Sequence, residues 1–265
     1  MQLDMARFQQ TDKYVAYLGT TAGRLRLDLA WSNLCEVLPQ AATGLRALDI
    51  GCGTGAFGLR LAQLGFHVDL LDASDAMLVR AREQATANQL GKLMAFHLGD
   101  AAATRDLFPF STFDVVVCHN VLEYVDEPAT VLRDISHILK KSDTSLASIL
   151  VRNRFGEALK VAIKNGDSRS VETALTAEIV LESLYGESVR VFDPDDLRAT
   201  MEGVGLHVVI ERGVRVVSDY RECSAVTEGK YEQLRKVELL LGSQSQLAAV
   251  ARYTQFIARP GADET

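Results

Sequence analysis

The chain has 265 residues, with 28 Lys or Arg against 35 Asp or Glu, a formal net charge of −7, and 48% hydrophobic residues. That length bounds it to one large α/β domain or two small ones, and the composition is that of a folded globular protein. The acidic balance disfavours a surface built mainly to neutralise phosphates. The polar start MQLDMARFQQTDKY has no signal-peptide core, and no apolar run approaches the roughly 18 residues of a membrane span; a cytoplasmic protein without a membrane partner is expected.

From Leu45 onward, short β-branched runs alternate with stretches of helical periodicity, the pattern of β-α units about a doubly wound parallel sheet. LRALDIG (45–51) reads as a strand and TGAFGLRLAQLG (54–65) as a helix with Phe57, Leu61 and Leu64 on one face. HVDLLDA (67–73) is a second strand, and Ser74 is an N-cap for a helix carrying Met77, Leu78 and Ala81 that runs to about Gly91. LMAFHLGDA, FDVVVCHNV and TSLASILV are three further strands, with a helix from Pro128 to about Lys140 before the last. The rhythm breaks after Asn153. Residues 155–192 read as mixed helix and loop, followed by a helix in DPDDLRATMEGVG with Asp193 as N-cap and Pro194 at its first position. LHVVIERGVRVVSDY is one long strand or a pair, a final helix carries Leu234, Val237, Leu241 and Leu247, and YTQFIAR is a last edge strand. No repeat or low-complexity linker interrupts the chain, so residues 1–265 form a single domain with an inserted segment.

Cys35, Cys52, Cys118 and Cys223 form no C-x-x-C pair, and His67, His97, His119, His137 and His207 show no spacing that sets two imidazoles on one face. No protein-held metal is expected. The strongest local signal is Asp49-Ile-Gly51-Cys52-Gly53-Thr-Gly55, ending the first strand and opening the first helix. Glycine lets backbone approach a ligand, and a helix N-terminus offers free N–H groups. Through Ala56 the same letters satisfy G-x-G-x-x-A, so a nicotinamide dinucleotide competes for the loop. Asp72, ending the second strand, suits a ribose diol in either class. Asp49 is placed to orient the loop or to accept from a cofactor ammonium. The Gly99-Asp100-Ala101 turn ends the third strand, where a purine amino group needs an acceptor.

The D-x-G-x-G-x-G loop, the strand-end Asp72, the G-D-A turn and the segment H-N-V-L-E-Y-V (119–125) together resemble the class I S-adenosylmethionine-dependent methyltransferases over residues 45–153. That resemblance implies a Rossmann-like, mostly parallel seven-stranded sheet with an inserted helical segment, and S-adenosylmethionine as cofactor. Sequence outside the core carries a narrower likeness. Leu18-Gly19-Thr20-Thr21-Ala22-Gly23-Arg24-Leu25-Arg26, Ala30-Trp31, Asn153 with Gly156, Gly213-Val214-Arg215-Val216 with Asp219-Tyr220, Arg252-Tyr253 and Ala258-Arg259-Pro260 resemble the tRNA 5-carboxymethoxyuridine methyltransferase family.

Carried over position by position, this likeness implies a cofactor site from Arg26, Cys52 with Gly53, Asp72, the turn Asp100, Ala101 and Ala102, and His119, beside which Asp49, Gly51 and Ala73 are further cofactor-binding candidates. Residues 1–40 become a helical lid and residues 154–192 a helical insertion forming part of the acceptor site. Arg152, Arg154, Arg215, Tyr220 and Tyr253 flank the mouth as acceptor-binding candidates. The family's lysine-rich run is missing: residues 154–198 hold six basic side chains against nine acidic ones. The acceptor is therefore either tRNA or a small carboxylate metabolite. A carboxylate is already ionised at neutral pH and needs no general base, whereas a phenol, amine or carbon acid would call on His119 or Glu123. A small-molecule methyltransferase of biosynthesis and a non-catalytic cofactor-binding partner subunit are the alternatives.

Overall fold

In β1 (Arg46–Ile50) and β4 (Val115–His119) the apolar residues run without polar alternation, so both faces of each strand must be covered. Val115 and Val117 pack into one core cluster, Val116 and Cys118 into another on the opposite face. The computed structural model describes residues 11–39, 42–182, 184, 186–220 and 227–261. Residues 1–10 and 40 of the expected lid, Tyr185 of the inserted segment and Cys223 lie outside that set.

One sheet of seven strands runs through the molecule in the order β3-β2-β1-β4-β5-β9-β8. Its members are β1, β2 (His67–Asp72), β3 (Met94–Leu98), β4, β5 (Leu146–Arg152), β8 (Leu206–Val214) and β9 (Tyr253–Pro260). The first five are parallel, and β9 is antiparallel to both of its neighbours. Leu25 and Leu29 of α2 (Thr21–Cys35), Leu61 of α3 (Ala56–Gln63), Leu78 of α4 (Asp75–Ala87) and Leu234 of α10 (Glu228–Gly242) cover one face. Val131 and Ile135 of α6 (Pro128–Ile138) and Leu197 and Met201 of α9 (Pro194–Gly203) cover the other. Each such fully buried aliphatic side chain contributes about 1.5–3 kcal/mol.

The caps read from sequence hold. Ser74 accepts from the Met77 N–H at 3.3 Å, and Asp193 accepts from Asp195 N–H with Pro194 beginning α9. The remaining α-helices among the described residues are α1 (Thr11–Leu18), α5 (Thr104–Leu107), α7 (Arg154–Asn165), α8 (Ser168–Thr176) and α11 (Ser245–Ala248). The inserted segment also contains an antiparallel pair, β6 (Ile179–Leu181) and β7 (Ser188–Arg190), too short for periodicity to reveal.

Two expectations are corrected. YTQFIAR is an interior strand, not an edge: β9 lies between β5 and β8, and β8 is the edge. Its polar letters point to solvent in sequence, yet Thr254 and Gln255 are fully buried. Gln255 is satisfied inside, its Oε1 accepting from Asn33 Nδ2 at 2.9 Å and its Nε2 donating to Ala30 O and Ser148 Oγ. The expected final helix is two, α10 and α11, because the chain turns after Gly242. A Cβ there would sit 2.2 Å from the Gly213 carbonyl oxygen.

Candidate functional site

The order of the parallel strands reverses between β1 and β4, and the carboxyl ends on either side of such a reversal open a crevice. A cavity of about 420 Å³ occupies it, within the range that holds a cofactor-sized ligand. The loop after β1 reaches it through Gly51 and Gly53, at φ of 64° and 54°, a region side-chain-bearing residues rarely adopt. Asp72 anchors the loop: its Oδ2 accepts from Gly53 N–H at 2.7 Å and its Oδ1 from Ser74 N–H at 2.8 Å. Each oxygen keeps a further lone pair, so a ribose diol can be received without breaking either bond. Burial raises the pKa of Asp72 against those two N–H bonds.

Ala73, Asp100 and Ala101 complete this side of the wall. Asp100 accepts from Ala102 N–H at 2.8 Å, holding the turn open toward the cavity, while Ala102 itself does not line it. Cys52 is buried beside the loop and also stands off the cavity. Asp49 lies behind, its Oδ2 accepting from Gly58 N–H at 3.1 Å; it braces the loop from the core side. Burial lifts its pKa to about 7, with the Gly58 bond opposing and the Asp72 charge adding.

Arg26 of α2 reaches across, donating from Nη1 to Asn120 Oδ1 at 2.8 Å and from Nη2 to the Tyr14 hydroxyl at 3.3 Å. Tyr14 and Tyr17 of α1 line the cavity, and Tyr14 packs on the loop where a Cβ on Gly53 would meet its ring at 3.0 Å. Asn120 holds a left-handed φ of 54° and donates to Glu123 Oε1 at 2.9 Å. His119, ending β4, lies against the Phe57 ring with its Nε2 2.8 Å from Ser148 Oγ. Burial, then the Arg26 charge, lowers its pKa to about 3, so it is a neutral hydrogen-bonding group and a poor base.

The opposite half is built by register. Arg152 at the end of β5 pairs directly with Tyr253 at the start of β9, which pairs in turn with Val214 of β8, bringing Arg215 alongside. Arg215 holds a φ of 64°, a strained conformation of the kind found at functional sites. Each arginine is tied down by acids: Arg152 to Glu157 at 3.0 Å and Glu182 at 3.6 Å, Arg215 to Asp219, Arg252 to Glu157 and Asp219. Gly156 permits this closeness, since a Cβ there would lie 2.1 Å from the Ala251 carbonyl oxygen.

Of the acceptor candidates, Arg152, Arg215 and Tyr253 meet in the cavity wall. Arg154 turns away to Asp193 at 3.6 Å, and the Tyr220 hydroxyl donates to the Gly156 carbonyl oxygen at 3.5 Å; neither lines the cavity. Sequence reading did not single out Arg252, Lys160, Glu182 or Asp219 as site residues. Lys160 is half-buried, lines the cavity and makes no ion pair among the described residues. Burial and the nearby Arg252 charge lower its pKa. The Nε–H groups of Arg152 and Arg215 and the Glu123 Oε2 also find no hydrogen-bond partner among the described residues, a clustering typical of ligand sites.

A methyltransferase domain model matches residues 48–142. A tRNA 5-carboxymethoxyuridine methyltransferase of Escherichia coli is 28% identical over 91% of this chain and 90% of its own length. A ubiquinone biosynthesis O-methyltransferase of a Ruegeria species is 31% identical over 64% of this chain and 63% of its own. Among solved structures, magnesium protoporphyrin IX methyltransferase from Synechocystis, determined with bound SAH, superposes with a TM-score of 0.61 at 14% identity, covering 94% of each chain.

Proposed function

We propose that this chain, an S-adenosylmethionine-dependent methyltransferase, transfers its methyl group to a carboxylate held among Arg152, Arg215, Arg252 and Lys160. The observation that carries this reading is the convergence of those cations on one wall, facing the loop and Asp72 across the cavity. When bound, the cofactor supplies an electrophilic methyl group. On this reading Gly51, Gly53, Asp72, Ala73, Asp100 and Ala101 hold its nucleoside, Arg26 its carboxylate, and His119 adds a neutral hydrogen-bonding group. The acceptor half orients one carboxylate oxygen for in-line attack, and holding both reactants in place can supply roughly 7–11 kcal/mol of the barrier. A carboxylate arrives ionised, so no side chain has to remove a proton. Water exclusion strengthens the cationic wall's grip on the charge.

Similarity over nearly the whole chain to the tRNA enzyme favours the carboxylate of a modified wobble uridine as that acceptor. The second reading, a phenolic acceptor, draws on the likeness to the ubiquinone enzymes and on Glu123, whose pKa burial raises. Transfer from labelled S-adenosylmethionine to tRNA from a strain lacking the wobble methyltransferase tests the choice. Label in the ester of 5-carboxymethoxyuridine supports the tRNA reading; no label in any tRNA, with transfer to a catechol, supports the phenolic one.

A further inference from the structure

The first residue of β9 has surroundings that no other tyrosine of the described chain shares. Guanidinium groups from four separate positions stand round the Tyr253 ring: Arg152 at 5.7 Å, Arg215 at 5.8 Å, and Arg26 and Arg252 at 6.0 Å from its centroid. The ring is 4% exposed and borders the cavity. No described residue hydrogen-bonds its hydroxyl, and the oxygen is not sealed off from solvent. The oxygen therefore opens onto the cavity, while the arginines around it are engaged by Glu157, Glu182, Asp219, Asn120 and the Tyr14 and Tyr17 hydroxyls.

We infer that the Tyr253 hydroxyl is the acceptor-selecting group of the site, donating a hydrogen bond to the non-reacting oxygen of the acceptor carboxylate. This rests on the carboxylate reading above and deepens it. A neutral phenol among four guanidinium groups is a strong donor to an anion, whereas a phenolate there would repel it. The groups facing it decide when it changes. Burial raises the phenol's pKa, and Arg152, Arg215, Arg252 and Arg26 outweigh that, bringing it down to about 8. Tyr17 of α1 also faces it and stays protonated, its own pKa raised to about 12 mainly by burial. Lys160 of α7, Glu182 and Asp219 line the same wall, while Glu157 of α7 pairs with Arg152 and Arg252. Below about 8 the hydroxyl donates; above it the donor is lost and a negative charge takes its place.

The test uses the full chain with S-adenosylmethionine and unmethylated tRNA, comparing wild type with Tyr253→Phe across pH. Expected is a wild-type kcat/KM that falls about tenfold per unit above pH 8, and a variant lacking that limb. The KM of the variant for tRNA should rise roughly ten- to hundredfold with kcat little changed, as for a lost bond to a charged group. A rate that climbs through pH 8 and vanishes in the variant would make Tyr253 a base and overturn the inference, as would an unchanged variant. A second measurement does not need turnover: the phenolate absorbance of the protein with S-adenosylhomocysteine is titrated with and without the nucleoside 5-carboxymethoxyuridine. One tyrosine titrating near 8, missing in Tyr253→Phe and displaced upward by that nucleoside but not by uridine, supports the assignment. A titration indifferent to the nucleoside overturns it even where tRNA is methylated. Absence of any tRNA transfer beside a responsive titration instead overturns the tRNA reading alone.

Discussion

Asp72 and Asp49 show how two carboxylates in one loop system divide the work. Asp72 borders the cavity with lone pairs to spare, so Asp72→Ala should remove the ribose contact and weaken S-adenosylhomocysteine binding by about 1–3 kcal/mol. Calorimetry reads this directly, and unchanged affinity would remove Asp72 from the cofactor site. Asp49 does not line that cavity, and its cost appears in stability. Its folded pKa is raised from an ordinary 3.8 to about 7, so between those values the native state binds more protons than the unfolded chain. Stability therefore falls as pH rises through that window and stays level above it. Asn keeps the acceptor for Gly58 N–H without the charge. Asp49→Asn should gain stability over wild type progressively from pH 4 to 7, with denaturant midpoints as the readout; a difference independent of pH would refute the assignment.

At the scale of elements, we propose that α1 alone, out of the lid expected over residues 1–40, acts as cover for the cavity. Leu25 and Leu29 of α2 are fully buried in the core under the sheet, so cutting through residue 26 would remove core as well as cover. Thr20 caps α2, accepting from Gly23 N–H at 3.0 Å, and a Cβ on Gly23 would lie 2.1 Å from the Tyr17 carbonyl oxygen. The turn between α1 and α2 is thus fixed, and it lays Tyr14 over the glycine loop and brings Tyr17 into the cavity wall. Removing residues 1–19 should leave the melting temperature nearly intact while weakening cofactor binding about tenfold, ~1.4 kcal/mol. Full affinity in that variant would show that α1 covers nothing the cofactor needs. The strand letters of β1, β2 and β4 and the caps at Ser74 and Asp193 were legible because local periodicity and side-chain chemistry suffice for them. The β6–β7 pair was not, because three residues carry no period.

For the whole molecule, charge is sorted rather than uniform. A net charge of −7 coexists with a cavity wall where Arg26, Arg152, Arg215, Arg252 and Lys160 converge, and the acids there are mostly spent on holding the arginines. A site of this kind grips one anionic group strongly and a long polyphosphate weakly. If tRNA is the acceptor, its affinity should fall with salt at a slope corresponding to few phosphates, since the slope follows the number neutralised. Filter binding of unmethylated tRNA across potassium chloride concentrations measures that slope. A steep one would point to a basic surface outside the cavity.

Within residues 45 to 153, Gly51, Gly53, Asp72, Ala73, Asp100, Ala101 and His119 were legible as one cavity wall, since the carboxyl ends of parallel strands open onto the same crevice and these residues lie at or just after their own strands. The opposite wall was not readable that way. Arg152, Arg215, Arg252 and Tyr253 meet only because β9 returns antiparallel between β5 and β8, aligning Tyr253 with Arg152 on one side and Val214 on the other. Arg154 and Tyr220 stood equally well in the sequence and are turned elsewhere, to Asp193 and Gly156. Local sequence sets strand, turn and cap because those depend on neighbours in the chain; which distant side chains share a wall depends on strand order and register, and these are decided by how the buried faces pack.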